Sequence, residues 1–488
     1  MREGLYMSSK TRKVIVVEFN EITWDLIEPL VKKGALPNFE RFIKEGARGE
    51  PWANEHHDQL DPWVTWTTVY TGVPQEVHGL SMLEQDRETL GAKRMWEYLK
   101  EAGLRIGLFG SANTWPPAKV DGFWVPGPFA RDFATYPEAL EPIQALNVGL
   151  TRGHTAEGIK PPSMKSLFPK LLKLGLPIST IAGLVPEIVS IKRNPKTLWK
   201  KIAFQPIVNL GLFSSLYRKH RPHFATFHSN HVAYYMHRFW RAMDPSLFEV
   251  KPTEEEVNQY GGAVEYGYRV ADQVIGQMAK LAGRDANVVI LSSCGQQPAT
   301  GGRYSRDQEQ GNVGLQLKIE KLIAHLGIQE QVEFSNLMAP QWKLDFTDEA
   351  LLKKTVADLE GAHNITRDCK ALNVEPEGMS ICLGAVRNQG MDDTIELNTA
   401  TGLQQFRAGD LLSKHAEVAK SGKHHPKGVL LMMGPDVRPG ADVGKCDNLD
   451  LAPTLMALLD QPIPDVMQGR VLEDALVSAP AQRVLVNA

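Results

Sequence analysis

One feature constrains this chain more than any other: short apolar runs that stop abruptly in polar residues. Val14–Val17 runs straight into Glu18, Asn20 and Glu21, and a helical pattern follows from Trp24. A run that is apolar at every position has the form of a strand buried on both faces, hence of a mostly parallel sheet between helical layers. In open α/β sheets the chemistry gathers at the ends of such strands. Glu18, Asn20 and Glu21 stand where first-strand ligand or catalytic groups belong. The plainer reading is that Asn20 or Thr23 caps the next helix.

The pattern repeats. Arg105–Phe109, Phe224–His228, Val288–Ser292 and Gly428–Gly434 read as four further core strands. Helical spacing fills the intervals: Trp24–Glu45 with a break at Gly34–Pro37, much of Leu60–Leu80 up to Thr71-Gly72, Arg94–Ala102, one long helix over Thr253–Gly283, Leu315–Ile328 and Asp450–Asp460. Strand alternating with helix at this spacing predicts a doubly wound α/β sheet. Two stretches interrupt it. The expected organisation is core over 12–155, a basic helical insertion over 156–222, core over 223–300, an α+β insertion over 301–420, and the last core strand and helix over 421–478.

The first insertion is distinct in composition. Lys160–Arg221 carries twelve Lys or Arg and one acid, Glu187, interleaved with Leu, Ile, Val and Phe. It reads as a cap with a solvated basic face, or as a surface for anionic lipid or polymer. Pro177, Pro186 and Glu187 argue against a membrane span. The net charge of −3 gives no nucleic-acid signal. Cys294, Cys369, Cys382 and Cys446 lack CxxC spacing, so neither a zinc ribbon nor a disulfide framework is indicated. No apolar h-region precedes the first strand, and translation can begin at Met1 or Met7. The expected location is cytoplasmic, peripheral to a membrane if the basic segment binds lipid.

Histidines collect at the strand ends. His228, Asn230, His231 and His237 follow the third strand, Ser293 and Cys294 the fourth, and His424 and His425 precede the fifth. If the sheet is parallel, these ends converge on one pocket. His, Cys and carboxylate suit zinc; His with carboxylate also suits manganese or iron.

Seven colinear stretches carry a family resemblance: VIVVEFNEITWDLIEPLVKKGALPNFERFIKEGARGE, WTTVYTGVPQEVHGL, RIGLFGSANTWPPAKVDGFWVPG, FATFHSNHVAYYMHRFWRAMDP, VVILSSCG, GKHHPKGVLLMMGPDV and DLAPTLMALLDQPIPDVMQGRVL. Together they resemble the alkaline phosphatase superfamily, in its type I phosphodiesterase/nucleotide pyrophosphatase branch. The resemblance implies two metal ions, usually zinc, a Thr, Ser or Cys nucleophile, and phosphate or sulfate ester substrates. Only His237 and His424 match its ligand positions. Its first-strand Asp falls on Asn20 and the following Gly on Glu21. Its nucleophile falls on Pro62, the Asp four residues before the metal His on Ala233, and its Ser-Asp-His-Gly on Ser292-Ser293-Cys294-Gly295. One metal site keeps two histidines; the other loses every charged or imidazole ligand.

Three readings follow. One is a hydrolase or transferase with a rebuilt, mononuclear zinc or manganese site. There His237 and His424 bind metal, completed by His231, Asn230, Glu21 or Cys294; water replaces the covalent nucleophile, or Thr65 substitutes for it; Asn20 and Glu21 act in catalysis, and Asn230, Ser293 and His425 face a phosphorylated or sulfated small molecule, glycan or lipid. The second is a metal-free pseudoenzyme that binds ligand or protein. The third makes the basic insertion the working part, in contact with an anionic membrane.

Overall fold

The computed structural model describes residues 12–54, 60–80, 83, 85–151, 162–310, 313–336, 341–386, 389–416, 420–478 and 483–484. The alternative starts Met1 and Met7, and Lys160, lie outside them. The chain forms two compact units: Met1–Leu150 with Lys160–Thr300 and Ser421–Ala488, and Thr151–Ile159 with Gly301–Lys420.

The first unit is built on an eight-stranded sheet. Its strands are β1 (Val14–Phe19), β2 (Ala47–Trp52), β3 (Ile106–Phe109), β4 (Gly122–Val125), β5 (Phe224–Ser229) and β6 (Asn287–Ser292), joined by β9 (Val429–Met433) and β10 (Ala441–Asp447). β7 (Gly295–Pro298) and β8 (Gly422–His425) form a separate two-stranded ribbon. The order is β10-β2-β9-β6-β1-β5-β3-β4, with β1 parallel to both β5 and β6 at the centre. The helices used below are α1 (Trp24–Lys32), α2 (Pro37–Glu45), α3 (Pro62–Thr71), α4 (Met164–Lys173), α5 (Ile178–Arg193), α6 (Phe204–His220), α7 (His231–Met243), α8 (Ala263–Ala282) and α9 (Leu451–Leu458).

β1 shows why the sheet has helices on both sides. Ile15, Val17 and Phe19 pack into one apolar layer with α2, α6, α7 and α8; Val14 and Val16 enter the other, with α3 and α9. Alternation at period two sends these β-branched residues to opposite faces, so both must be covered. Thr23 caps α1 by accepting from the Asp25 amide at 3.4 Å. Gly72 ends α3 at φ 65°, a conformation that favours glycine.

Several expectations change. The strand at Val429–Met433 is antiparallel to β6, not parallel to it. Residues just before it therefore lie where β1, β5 and β6 end, and this reversal brings His424 to the same edge. The helix expected over 253–283 is two, Glu254–Tyr260 and α8, divided at Gly261-Gly262, residues of weak helical propensity. Within the second unit, 315–328 is a strand, Val313–Leu317, then a helix, Ile319–Leu326. The strand pairs with Leu412–Ala416, a distant partner that overrides local periodicity. β2, β4 and β10 were not legible: β2 holds Arg48, Glu50 and Pro51, and β10 is largely exposed. Two four-stranded antiparallel sheets and their own apolar core complete the second unit.

Candidate metal centre

Glu21 is the residue around which the strand-end site is arranged. It follows β1 at φ 63°, a left-handed conformation unusual for a side chain of this size, and is 3% exposed. Such an outlier persists only where surrounding contacts hold it. Its Oε1 accepts from Asn20 Nδ2 at 2.8 Å. Its Oε2 lies 2.9 Å from His237 Nε2 and 3.4 Å from His424 Nε2, and accepts from Gln296 Nε2. Ligand atoms of Glu21, His237 and His424 all fall within 4.8 Å of one another.

Three elements supply these groups. Glu21 comes from the turn after β1, His237 from α7, and His424 from β8, where it pairs with Gln296 of β7. Each imidazole is oriented through its other nitrogen. His237 Nδ1 is 2.8 Å from the Gly422 carbonyl, and His424 Nδ1 2.7 Å from the Leu60 carbonyl. A carbonyl cannot donate, so both Nδ1 atoms carry hydrogen. The two Nε2 atoms thus face a carboxylate oxygen either as bare lone pairs or as imidazolium N–H donors. Two lone pairs aimed at a carboxylate repel it; a proton or a cation between them removes the repulsion. Burial raises the Glu21 pKa, but the charges of His424 and His237 and the hydrogen bonds from His237 and Gln296 outweigh it, leaving it at about 2. With both Nε2 atoms free of hydrogen, this set of one carboxylate and two imidazoles, each backed by a second hydrogen bond, would fit a divalent cation.

Asn20 begins a different neighbourhood. Its Oδ1 accepts from Trp66 Nε1 at 3.0 Å, and its Nδ2 also donates to Asn230 Oδ1 at 2.8 Å. Thr65 and Ser293 exchange a hydroxyl hydrogen bond at 2.7 Å, and Thr65 Oγ1 also donates to the Pro62 carbonyl at 3.1 Å. Both hydroxyls are fully buried. All these groups are neutral and matched donor to acceptor.

Other sequence candidates lie elsewhere. His231 is buried with Nδ1 2.8 Å from Ser229 Oγ and Nε2 3.1 Å from the Gly267 carbonyl; burial lowers its pKa to about 4, so it is a neutral packing residue. Cys294 is buried in an apolar cluster with Ala53 and Leu60. His425 accepts from the Lys427 amide at 3.1 Å and sets its ring against Trp52.

Gln296 carried no sequence signal. Its Nε2 also donates to the Ala233 carbonyl at 3.2 Å, so the Glu21 carboxylate is tied to position 233, one helical turn before His237. Glu18 escaped notice as half of a pair. Wholly buried, it accepts from Tyr70 and from Ser111 Oγ at 2.8 Å, and lies 2.9 Å from His228 Nδ1. Burial and the Glu18 charge hold the Tyr70 hydroxyl protonated, its pKa well above 10.

No curated protein sequence matches this chain. Solved structures that match include murine ectonucleotide pyrophosphatase/phosphodiesterase 5, as an inactive variant in complex with AMP. It is 14% identical over 95% of this chain and 100% of its own, at a TM-score of 0.43. The human protein is 14% identical over 96% of this chain and 100% of its own, at 0.41. The family model described as Type I phosphodiesterase / nucleotide pyrophosphatase matches residues 14–312, from the first residue of β1 through α7, which bears His237, and past the ribbon strand that holds Gln296. With more than half its length matched, this chain belongs to the type I phosphodiesterase/nucleotide pyrophosphatase family.

Proposed function

We propose that this chain is a phosphoester hydrolase that works with one divalent cation, zinc or manganese, held by Glu21, His237 and His424. The observation that carries the reading is the convergence of one carboxylate and two Nε2 atoms within 4.8 Å. A divalent cation bound there supplies Lewis acidity toward a phosphoryl oxygen and lowers the pKa of a water. The chain's own groups prepare the place. Glu21 supplies the negative charge, Asn20 and Gln296 fix its two oxygens, and the Leu60 and Gly422 carbonyls point both imidazoles inward. Pro62, buried in the first turn of α3, offers no hydroxyl for a covalent intermediate, and Thr65 Oγ1 is engaged by Ser293 and Pro62. Water is therefore the attacking group.

The substrate class is a phosphate or sulfate ester, and a nucleotide ester is the first to try, because AMP is the ligand named for the murine relative. A lipid- or glycan-linked ester is the finer form of this reading; the basic helices between β4 and β5 support the lipid form. The neutral hydrogen bonds around Asn20 favour a second reading, a protein that binds such an ester without cleaving it.

Metal analysis of the purified protein, followed by turnover of bis(p-nitrophenyl) phosphate with added zinc or manganese, tests the proposal. One bound cation and metal-dependent turnover, both lost in Glu21→Gln, are expected. A wild-type protein that binds no cation, or that binds one and cleaves neither diesters nor monoesters, overturns the hydrolase reading in favour of the second.

A further inference from the structure

α4 and α5 carry more apolar surface than the fold buries. Leu167 and Leu171 of α4, and Leu184 and Ile191 of α5, are buried. Other apolar side chains of both helices are open to solvent. On α4, Met164, Phe168 and Leu172 recur every four residues, with Met164 56% exposed. On α5, Ile178, Val185 and Val189 form a second stripe at helical spacing, with Ile188 beside it; Ile178 is 78% and Val185 49% exposed. A helix on the surface of a soluble protein normally turns polar residues outward. A contiguous apolar patch marks a surface that something covers.

The exposed charges of the two helices have one sign, and Lys165, Lys192 and Arg193 lie beside the apolar stripes. Lys165, Lys170, Lys173, Lys192 and Arg193 are all exposed and form no ion pair among the described residues. The one acid of the segment, Glu187, is held by Lys200 at 3.1 Å. No helix among the described residues is long and apolar enough to cross a membrane.

We propose that α4 and α5 form a docking surface for an anionic lipid bilayer, with the two helices lying in the plane of its interface. On α5 alone the exposed apolar stripe, Ile178 to Val189, is roughly 16 Å long. A bilayer meets both features together: its acyl boundary takes the aliphatic stripes, and its acidic headgroups take the ammonium and guanidinium groups at their flanks. The long Lys and Arg stems reach the headgroups while the stripes lie deeper. A second copy of the chain fits less well. Packing this face on itself would bring two sets of unpaired cations together, with Glu187 already committed on each. The proposal goes beyond the hydrolase reading and does not depend on it.

Co-sedimentation of the full chain with vesicles is the test, using phosphatidylcholine alone and phosphatidylcholine with phosphatidylserine. Binding to the anionic vesicles at low salt, and little to the neutral ones, is expected. Ile178→Ser with Val185→Ser should lower partitioning about tenfold or more, because two exposed aliphatic side chains are removed. Lys165→Glu with Lys192→Glu should abolish the preference for anionic vesicles. All four positions are exposed, so thermal melting and cation content should match the wild type. No sedimentation of the wild type with anionic vesicles overturns the proposal, as does full binding by the double serine variant. A wild-type dimer by equilibrium ultracentrifugation that the double serine variant loses, without vesicle binding, assigns the face to a second copy instead. A vesicle-binding protein without turnover would leave this inference standing while the hydrolase reading fell.

Discussion

The two halves of the strand-end site share residues on adjacent positions, Asn20 and Glu21, yet follow opposite electrostatic rules. Around Glu21 every partner is an imidazole nitrogen or an amide N–H aimed at one carboxylate. Around Asn20, apart from its one bond to Glu21, the partners are an indole, an amide and, nearby, two hydroxyls, all neutral. A buried neutral network whose donors meet acceptors is complete as it stands. A buried carboxylate facing two oriented imidazoles is complete only with positive charge between them, as protons or as a cation. The comparison teaches that one half of this site has the charge arrangement a cation would complete, while the other is closed by ordinary hydrogen bonds. It also relocates the carboxylate. The family pattern puts an Asp at position 233, on the helix; here the helix holds Ala233, and Glu21 delivers a carboxylate from the strand end, bridged by Gln296 to the Ala233 carbonyl.

The most severe way to break the comparison is Glu21→Gln. It removes the one anion of the charged half. Cation affinity measured by titration calorimetry should fall by more than the roughly 10–100-fold typical of changes to groups that merely orient a ligand. Retained affinity would show that the imidazoles suffice without Glu21.

Asn20→Asp tries to recharge the neutral half. The aspartate loses both amide donations and lies against Glu21. With Pro62, Ser293 and Cys294 in the family's other ligand positions, nothing nearby offsets the new charge. Stability should drop by about 3–5 kcal/mol, as for an uncompensated buried charge, and native mass spectrometry should still count one cation. Two bound cations would show that the second site is latent rather than replaced.

Acid should dissolve the charged half selectively. The Glu21 pKa is depressed from 4.5 to about 2, so its contribution is fully present above pH 4.5 and is lost as pH falls toward 2. At 1.36 kcal/mol per unit, that contribution is about 3 kcal/mol in the cation-free protein. The urea midpoints of wild type and Glu21→Gln should therefore converge across that window. A constant difference would mean that the carboxylate is not held by its imidazole partners.

Thr65→Ala probes the neutral half alone. The expected cost is about 1 kcal/mol of stability from the lost Ser293 hydrogen bond, with kcat changed only a few-fold. A drop of about a thousandfold, roughly 4 kcal/mol in the barrier, would make Thr65 a nucleophile and end the water-attack reading. Smallest of all is Cys294→Ser. Cys294 packs among Ala53 and Leu60, outside the Glu21–His237–His424 group, so cation affinity should not move.

The residues show how far sequence carries. β1, β5 and β6 were legible because a short apolar run buried on both faces has few alternatives, and the family match covers these same strands. β2 and β10 were not, because charged and exposed residues become strand only through partners hundreds of positions away. The polar strand ends could be read as a set from the sequence, and the structure brings two of them, His237 and His424, beside Glu21. Their assortment was not legible. His231 and Cys294 are chemically as good ligands as His237, and only their surroundings in the fold, the Gly267 carbonyl and an apolar cluster, separate them.

The sequence by itself determined the α/β core and the presence of Asn20, Pro62 and Ala233 where the resemblance implies ligands and a nucleophile, because strand runs and residue identities are local facts. The tertiary structure alone decided that Glu21 points at His237 and His424. That contact depends on a left-handed turn at Glu21, on an antiparallel β9 that returns His424 to the edge where β1 ends, and on carbonyls of Leu60 and Gly422 that aim the imidazoles. Each is a product of long-range packing, and spacing along the chain carries no record of it.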